Sequence, residues 1–340
     1  MREKGARTTV MRLWLHAAVC LAAMLPLSGC RMFESPMRRG GLWVNPDSPA
    51  ARQAHEREHE GKNGDAALIR RIAQQPVAEW FGPAPPRERA RSITESAART
   101  GSIPVLVAYH IPYRDCGRYS AGGARNRAAY RWWIEQFTLG IGDRRAIVVL
   151  EPDAVAQLVD RCVPRKLRKA RLEMLRDAVA LFAALPHVKV YLDAGNPNWI
   201  KNPARLVRPL REAGIEQADG FALNVSNFQP TRRTKAYGHR LSTALDKAHF
   251  IIDTSRNGNG PLRAHGAARH GIRARDSWCN PPGRALGEPP STHTGDPLVD
   301  AYLWIKRPGE SDGTCNGGPP AGRWWTKYAL DLARNASHHR

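Results

Sequence analysis

The feature that most constrains the fold of this 340-residue chain is a unit that recurs seven times along it. Each unit is a short apolar run that ends in polar residues, and stretches with helical spacing lie between the runs, for example at 165–185 and 203–213. The runs occupy residues 72–80, 104–111, 146–150, 188–192, 220–224, 250–253 and 301–305. This alternation predicts an α/β fold in which about seven parallel strands close into a TIM-like β/α barrel.

Polar side chains follow the runs at the positions where such a barrel builds its active site. Residues 146–150 (AIVVL) suit a strand buried on both faces, yet Glu151, Pro152 and Asp153 come directly after them. In barrels of this class, active sites lie at the carboxyl ends of the strands. We therefore expect one cleft to gather the polar residues of several strand ends, namely Asp115, Asp153, Asp193, Asn227 and Asp312.

Aromatic residues lie at or near the same strand ends. They are Trp80, Tyr109, Trp199, Trp278 and Trp304. Flat rings pack against the apolar faces of a sugar, while polar side chains bind its hydroxyl groups. A single tryptophan is more often part of a core, but five of these rings beside a set of acids indicate a carbohydrate cleft.

The amino terminus has the pattern of an export signal. Basic residues precede an apolar stretch at 13–25, and LSGC at 27–30 has the form of a bacterial lipobox. We expect residues 1–29 to be a lipoprotein-type signal peptide and Cys30 to carry a lipid that anchors the protein to the membrane. Plain secretion is the alternative. A polar tether over 30–65 and a catalytic domain over 66–340 would follow.

Beyond Cys30, four cysteines remain in a chain that is bound for an oxidising compartment: Cys116, Cys162, Cys279 and Cys315. They allow three pairings. A zinc site is the other reading, but no two of these cysteines have the CxxC spacing, so we expect no metal.

Residues 55–59 (HEREH) match the HExxH pattern of zinc proteases. In such enzymes the helix is buried so that its two histidines can hold the metal. Here the motif lies in a polar stretch without an apolar face, ahead of any strand. We interpret it as a solvated helix or as part of the tether.

The chain is strongly basic, with 52 lysines and arginines against 31 acidic residues and a formal net charge of +21. Such an excess can indicate a polyanion partner, and a basic polyanion-binding lipoprotein is one alternative function. The arginines are scattered along the chain, and their densest cluster, 162–176, is predicted to be the solvated face of a helix. We therefore favour an ordinary charged surface and expect no nucleic-acid partner.

Seven segments resemble glycoside hydrolase family six, the β-1,4-glucanases and cellobiohydrolases, and they follow one another in that family's order. They are YHIPYRDCGRYSAGG (109–123), VVLEPDAVAQLV (148–159), YLDAG (191–195), NVSNF (224–228), DTSRNGNGP (253–261), WCNPPGRALG (278–287) and AYLWIKRPGESDGTC (301–315). The resemblance covers nearly the whole mature chain and points to the short, cleft-type bacterial endoglucanases. It implies a distorted barrel, hydrolysis with inversion at the anomeric carbon, and no metal or organic cofactor.

The resemblance implies catalytic roles for three aspartates. Asp153 takes the position of the general acid, which protonates the leaving oxygen. Asp115 matches a partner that helps to relay a proton and keeps the acid protonated, because a like charge raises the pKa of a carboxyl group. Asp312 matches the proposed base, an assignment that is disputed within the family.

Further positions match substrate-binding residues of the family: Trp80, Tyr109, Trp199, Asn227, Trp278, Lys306 and Glu310. We also expect Asp193 and Asn196 to bind substrate, and Ser120 falls near a serine that helps to hold the catalytic water. The family usually has histidine where this chain has Asn196, so the affinity of one sugar subsite is expected to differ. The family's disulfides would join Cys116 to Cys162 and Cys279 to Cys315.

These inferences predict an exported, inverting endo-β-1,4-glucanase that acts as a monomer on β-1,4-glucan polysaccharide. We expect cleavage inside chains, because the segments 193–203 and 314–325 leave no room for loops that would cover the cleft. A catalytically weak glycan-binding lipoprotein of the cell envelope is the alternative hypothesis, and the intact aspartates argue against it.

Overall fold

A computed structural model describes residues 41–336 of the chain. Its seven strands are all parallel and form one sheet in the order in which they occur in the sequence. They are β1 (Glu79–Phe81), β2 (Val105–Ala108), β3 (Ala146–Leu150), β4 (Val188–Asp193), β5 (Gly220–Leu223), β6 (His249–Asp253) and β7 (Val299–Leu303). Just before β1, the Ala78 N–H donates to the carbonyl oxygen of Trp304 after β7, at 3.0 Å. The sheet therefore curls into the distorted α/β barrel that the sequence predicts.

Ten α-helices lie within residues 41–336. They are α1 (Pro49–His59), α2 (Asn63–Ala73), α3 (Arg87–Arg99), α4 (Arg127–Ile141), α5 (Ala154–Val159), α6 (Arg165–Ala183), α7 (Ala204–Glu212), α8 (Thr231–Ala244), α9 (Ala264–Arg269) and α10 (Thr326–Asn335). The helices predicted at 165–185 and 203–213 are present as α6 and α7.

Alternate residues of each strand enter two different apolar clusters. In β2, Val105 and Val107 belong to the cluster inside the barrel, whereas Leu106 belongs to the layer that packs against the helices. The parallel register pairs Val105 with Ile147 and Val107 with Val149, so neighbouring strands contribute to the same interior layers. Both faces of the sheet are thus buried, which explains why the strands are continuous apolar runs.

The folded domain begins earlier in the chain than residue 66. The Trp43 N–H donates to the carbonyl oxygen of Ile103 at 2.9 Å, and only 7% of the Trp43 surface is exposed. Ala54 of α1 and Ile69 of α2 are buried in one cluster together with Leu332 of α10. The predicted tether is therefore corrected, because residues 41–65 pack against the rest of the fold. Residues 1–40, with the predicted signal peptide and Cys30, lie outside the described range.

The HEREH motif lies on α1, and its histidines, His55 and His59, are exposed, while Ala50 and Ala54 form the buried face of the helix. This agrees with the prediction of a solvated helix, although the helix does have a narrow alanine face. Across residues 41–336 no group of three or more His, Cys, Asp or Glu side chains could hold a metal ion. In the same range no helix has the length and apolar character that crossing a membrane requires.

Candidate active site

A cavity of about 310 Å³ lies beyond the carboxyl ends of the strands. The loops after β2, β3, β4 and β5 each bring at least one predicted residue to it, as the barrel architecture requires. The predicted site residues that line it are Asp115, Asp153, Asn196, Trp199, Asn227 and Trp278. Two carboxyl groups and two indole rings therefore share one cavity, as expected for a site that binds and cleaves a sugar polymer.

Asp153 lies between β3 and α5, with a left-handed backbone φ of 72°. Its backbone N–H donates to Oδ2 of Asp193 at 2.7 Å, which fixes the turn that carries the carboxyl group. Burial raises the pKa of Asp153 well above its usual value, and the negative charges of Asp193 and Asp115 raise it further. The positive charges of Arg118 and Arg171 only partly oppose this effect. Asp153 is therefore held as a protonated acid that can donate a proton.

Asp115 begins a short hydrogen-bonded chain at the wall of the cavity. Its Oδ2 accepts the Ser120 N–H at 2.8 Å and the Ser120 hydroxyl at 2.9 Å. The Ser120 Oγ lies 3.0 Å from the phenolic oxygen of Tyr109. Burial, followed by the charges of Asp153 and Asp115, raises the pKa of Tyr109 well above its usual value, so the phenol stays neutral. Asp115, Ser120 and Tyr109 can therefore orient a water molecule or pass a proton.

Two disulfides hold the loops around this region. Cys116 is bonded to Cys162 with the Cα atoms 6.0 Å apart, and Cys279 is bonded to Cys315 with the Cα atoms 6.2 Å apart. The first bond ties the loop of Asp115 to the segment that follows α5, the helix that Asp153 precedes. Both pairings implied by the family resemblance are confirmed.

Glu151, at the end of β3, positions the neighbouring loop. Its carboxylate accepts the His110 N–H at 2.9 Å and the Ile111 N–H at 3.1 Å, so it ties the end of β3 to the end of β2. Only 1% of Glu151 is exposed, and burial raises its pKa to about 7. Of the two acids that follow the AIVVL strand, Asp153 faces the cavity and Glu151 supports the loop that carries Asp115.

Asp193 lies beneath the cavity. It is 1% exposed and does not line the cavity wall; its Oδ2 accepts the backbone N–H groups of Asp153 and Gly195. Burial raises the pKa of Asp193 to about 7. Asp193 therefore supports Asp153 from below, and its contact with substrate stays a prediction.

Asp312 belongs to a separate cluster of charges. Its Oδ2 accepts from Nη1 of Arg256 at 2.9 Å and from the Asn280 N–H at 3.0 Å, and Nζ of Lys306 lies 3.4 Å from Oδ1. Burial acts to raise its pKa, but the cations of Arg256 and Lys306 outweigh that effect and hold the pKa below its usual value. Asp312 does not line the cavity of Asp115 and Asp153. Its low proton affinity and its ion pairs do not favour the role of base that the resemblance implies.

The remaining predicted residues do not line this cavity. The Trp80 indole N–H donates to the Ile305 carbonyl oxygen at 2.7 Å, and the ring makes an edge contact with Tyr109 at 5.3 Å. Lys306 is 8% exposed and donates to the Ser311 carbonyl oxygen at 3.2 Å. Glu310 pairs with Nε of Arg307 at 2.9 Å and lines another, smaller cavity. The structure therefore does not place Lys306 or Glu310 in the wall of the cavity that Asp115 and Asp153 line.

Two arginines are buried, which the sequence patterns did not predict. Arg171 belongs to the cluster predicted as a solvated helix face, yet it is 1% exposed and donates to the carbonyl oxygens of Pro112 and Tyr113 at 2.8 and 2.7 Å. Arg256 is fully buried and forms the ion pair with Asp312. The position of Arg256, three residues after the end of the buried strand β6, was a usable signal, whereas nothing in the basic run 162–176 distinguished Arg171.

Comparisons with known proteins agree with this geometry. The sequence model of the family described as "Glycosyl hydrolases family 6" matches residues 37–336. Endoglucanase A of Cellulomonas fimi is 41% identical over 305 residues, which are 88% of this chain and 62% of that protein. Endoglucanase 1 of Streptomyces halstedii is 39% identical over 303 residues, which are 86% of this chain and 88% of that protein. The chain thus spans less than two thirds of the Cellulomonas protein.

A solved structure is similar over nearly all of its length. It is the endoglucanase Cel6 from Mycobacterium tuberculosis in complex with methyl-cellobiosyl-4-deoxy-4-thio-β-D-cellobioside. The two chains superpose with a TM-score of 0.80 at 39% identity, over 89% of this chain and 99% of the other.

Proposed function

The chain belongs to family 6 of the glycosyl hydrolases, and from that premise we propose that it is an exported endo-β-1,4-glucanase that inverts the anomeric carbon. The observation that carries the proposal is that Asp153, with its raised pKa, shares a cavity with Asp115. The relatives described above are endoglucanases, and the solved one was obtained with a thio-linked cellobiosyl cellobioside. These similarities support β-1,4-glucan as the substrate.

In the proposed reaction, Asp153 donates its proton to the glycosidic oxygen as the bond to the leaving sugar breaks. Positive charge develops on the ring oxygen and anomeric carbon of the other sugar. The Asp115 carboxylate in the same cavity stabilises that charge. A water molecule attacks the opposite face of the ring and gives up a proton through the Ser120 hydroxyl to the Asp115 carboxylate. The configuration therefore inverts and no covalent sugar intermediate forms. Asp115 then releases that proton to solvent and Asp153 takes one up, which restores the starting state.

We assign orientation of the attacking water to Ser120 and Asp115 rather than to Asp312. The Ser120 hydroxyl donates to Asp115, and the Tyr109 phenol lies at hydrogen-bond distance from it, so proton movement away from the water has a connected route. Asp312 is bound to Arg256 and Lys306, and its lowered pKa makes it a poor proton acceptor. In this proposal Asp312 holds its loop in place.

Trp199 and Trp278 supply the flat surfaces for sugar rings. Asn196 replaces the usual histidine of the family, and its Oδ1 accepts the N–H groups of Asn198 and Trp199 at 3.0 and 3.1 Å. These bonds fix the turn that carries Trp199. The Asn196 amide N–H₂ remains to donate to a sugar hydroxyl, without the stacking surface that a histidine ring would add.

The mode of attack is tested by viscometry on hydroxyethyl cellulose. Cleavage inside chains should lower the viscosity early relative to the reducing ends that are released. Slow viscosity loss with cellobiose as almost the only early product would contradict the endo mode. Binding of cello-oligosaccharides without release of reducing ends would contradict hydrolysis and favour the glycan-binding alternative. Proton NMR of the first product anomers tests inversion, which predicts the α-anomer.

We propose that the protein is exported and held at the outer face of the cell membrane by a lipid on Cys30, or is secreted. The two disulfides support export, since such bonds persist in oxidising compartments. Two acyl chains on one residue suffice for stable attachment. Membrane fractionation of wild type and Cys30→Ala should show release of the variant; equal retention of both would contradict lipid anchoring. Light scattering of the released protein tests the proposed monomeric state.

A further inference from the structure

We propose that the catalytic cavity continues into an anion-binding groove, which gives this enzyme a preference for β-glucan chains that carry carboxylate groups. The inference rests on the function proposed above and adds the chemical class of the substrate. Its basis is a second, larger cavity of about 910 Å³ beside the catalytic one.

The two cavities share a wall. Asn198 lines both of them. On another side, Ala274 and Ser277 face the second cavity, whereas their chain neighbours Arg275 and Trp278 face the catalytic one. A polymer bound across Asp153 and longer than the catalytic cavity can therefore extend past Asn198 into the second cavity, which we call the basic groove.

Three arginines give the basic groove its charge. Arg232 and Arg233 come from the start of α8, and Arg263 comes from the segment before α9. All three are exposed, and among the described residues that line the groove none is acidic. Within residues 41–336 none of the three forms an ion pair with a carboxylate; Arg233 donates to the neutral Oε1 of Gln229 at 3.1 Å.

The sequence around these arginines contains little negative charge. Residues 220–245 contain no aspartate or glutamate, and residues 254–287 contain six arginines and only one acid, Asp276. By contrast, Arg127 on α4 binds both Glu173 and Asp177, at 2.6 and 2.8 Å. The basic excess of the chain, which looks scattered along the sequence, therefore includes three arginines at one groove that form no ion pair within residues 41–336, whereas Arg256 and Arg275 of the same stretch pair with Asp312 and Asp276.

A neutral glucan carries no anionic groups that could pair with these arginines. Guanidinium groups bind carboxylates through paired N–H donors, and a polymer that carries many carboxylates can engage several arginines at once. Because the arginines are exposed, the attraction is screened by salt, with a Debye length of about 10 Å at 0.1 M. Preference for a carboxylated chain should therefore appear at low ionic strength and disappear at high ionic strength.

The test compares carboxymethyl cellulose with hydroxyethyl cellulose of matched chain length and degree of substitution, using the full chain. We expect KM for the carboxymethyl polymer to be about 5-fold lower at roughly 20 mM salt, and the two KM values to converge at roughly 500 mM, because screening removes the attraction. The kcat values should change little with salt, since the groove lies outside the catalytic cavity.

The decisive variant is the triple substitution Arg232→Gln, Arg233→Gln and Arg263→Gln. At low salt it should raise KM for carboxymethyl cellulose about 5-fold and leave KM for hydroxyethyl cellulose within about 2-fold, since only one polymer is charged. The matched control is Arg99→Gln, Arg176→Gln and Lys247→Gln, which removes the same formal charge at exposed positions outside both cavities. Circular dichroism confirms that both variants fold.

Each outcome bears on the proposal in a defined way. An equal KM increase in the control triple would overturn it, because net charge and not the groove would then be responsible. An unchanged KM for carboxymethyl cellulose in the groove variant would also overturn it, while hydrolysis of hydroxyethyl cellulose would still uphold the proposed function. Salt-sensitive binding of single-stranded DNA that the groove variant loses, without any change in KM, would replace the glucan with a nucleic acid. Failure to hydrolyse either polymer would reject the proposed function itself.

Discussion

Two aspartates at the same edge of the barrel, Asp153 and Asp312, have opposite electrostatic surroundings. Asp153 lies near Asp193 and Asp115, and its pKa is raised by burial and by their charges. Asp312 lies between Arg256 and Lys306, which lower its pKa against the effect of burial. The surroundings of Asp153 favour its protonated form, whereas those of Asp312 favour its ionised form. The charged partners of a buried carboxyl group therefore determine which of its two protonation states is favoured.

The largest expected effect is that of Asp153→Asn on catalysis. The amide keeps the shape of the side chain but cannot donate a proton to the glycosidic oxygen, so kcat should fall roughly 10³-fold. Cello-oligosaccharide affinity, followed by tryptophan fluorescence, should stay near that of wild type. Asp143→Asn, at an exposed position before β3, is the control and should retain full activity. Activity of Asp153→Asn within a few-fold of wild type would reject the assignment of the acid.

Asp312→Asn should act mainly on stability. Arg256 is fully buried, and the substitution removes the carboxylate with which its guanidinium forms an ion pair, so the unfolding free energy should fall by about 3–5 kcal/mol. Urea denaturation measures the change. Asp331→Asn, which breaks the exposed pair of Lys327 and Asp331, should cost much less. If Asp312→Asn kept wild-type stability and lost all activity, Asp312 would be catalytic and the contrast with Asp153 would fail.

Glu151→Gln should flatten the dependence of stability on pH. The pKa of Glu151 is about 7 in the folded protein, against 4.5 ordinarily, so the folded state binds the proton more tightly than the unfolded state. The contribution of Glu151 to the unfolding free energy is fully present below pH 4.5 and is lost as the pH rises through 7. It amounts to about 3 kcal/mol. Denaturation series at pH 5 and pH 8 should show this loss in wild type and in Glu88→Gln, an exposed control, and less of it in Glu151→Gln. The same slope in all three proteins would contradict the prediction.

Asp115→Asn should shift the upper limb of the pH–activity profile downward. Removing the nearby negative charge lowers the pKa of Asp153, although burial, the larger cause, remains. We expect the limb to move to lower pH, so that the rate at a fixed pH above the limb falls below that of wild type. The same substitution also disturbs the bonds to Ser120, so Ser120→Ala is the matched comparison: it should lower the rate without moving the limb. A limb that stays in place in Asp115→Asn would show that Asp115 does not control the acid.

Much of the site could be predicted from the order of residues. Glu151 and Asp153 follow an apolar strand, and the strand-end rule for barrels predicts that Asp153 lies at the cleft. Trp199, Trp278 and Asn227 were found in the same way. For Lys306 and Glu310 the role in sugar binding stays a prediction from the resemblance, because both side chains contact charged partners on their own loop.

The sequence by itself determined the barrel, its strand order and the edge at which the polar residues lie. Those features depend on the period of apolar residues and on chain connectivity, which are local properties. Only the tertiary structure decided which acids keep a proton, that residues 41–65 pack onto the domain, and that Arg232, Arg233 and Arg263 gather at one groove. Burial and charge–charge distances between residues far apart in sequence determine these outcomes, and no local pattern records them.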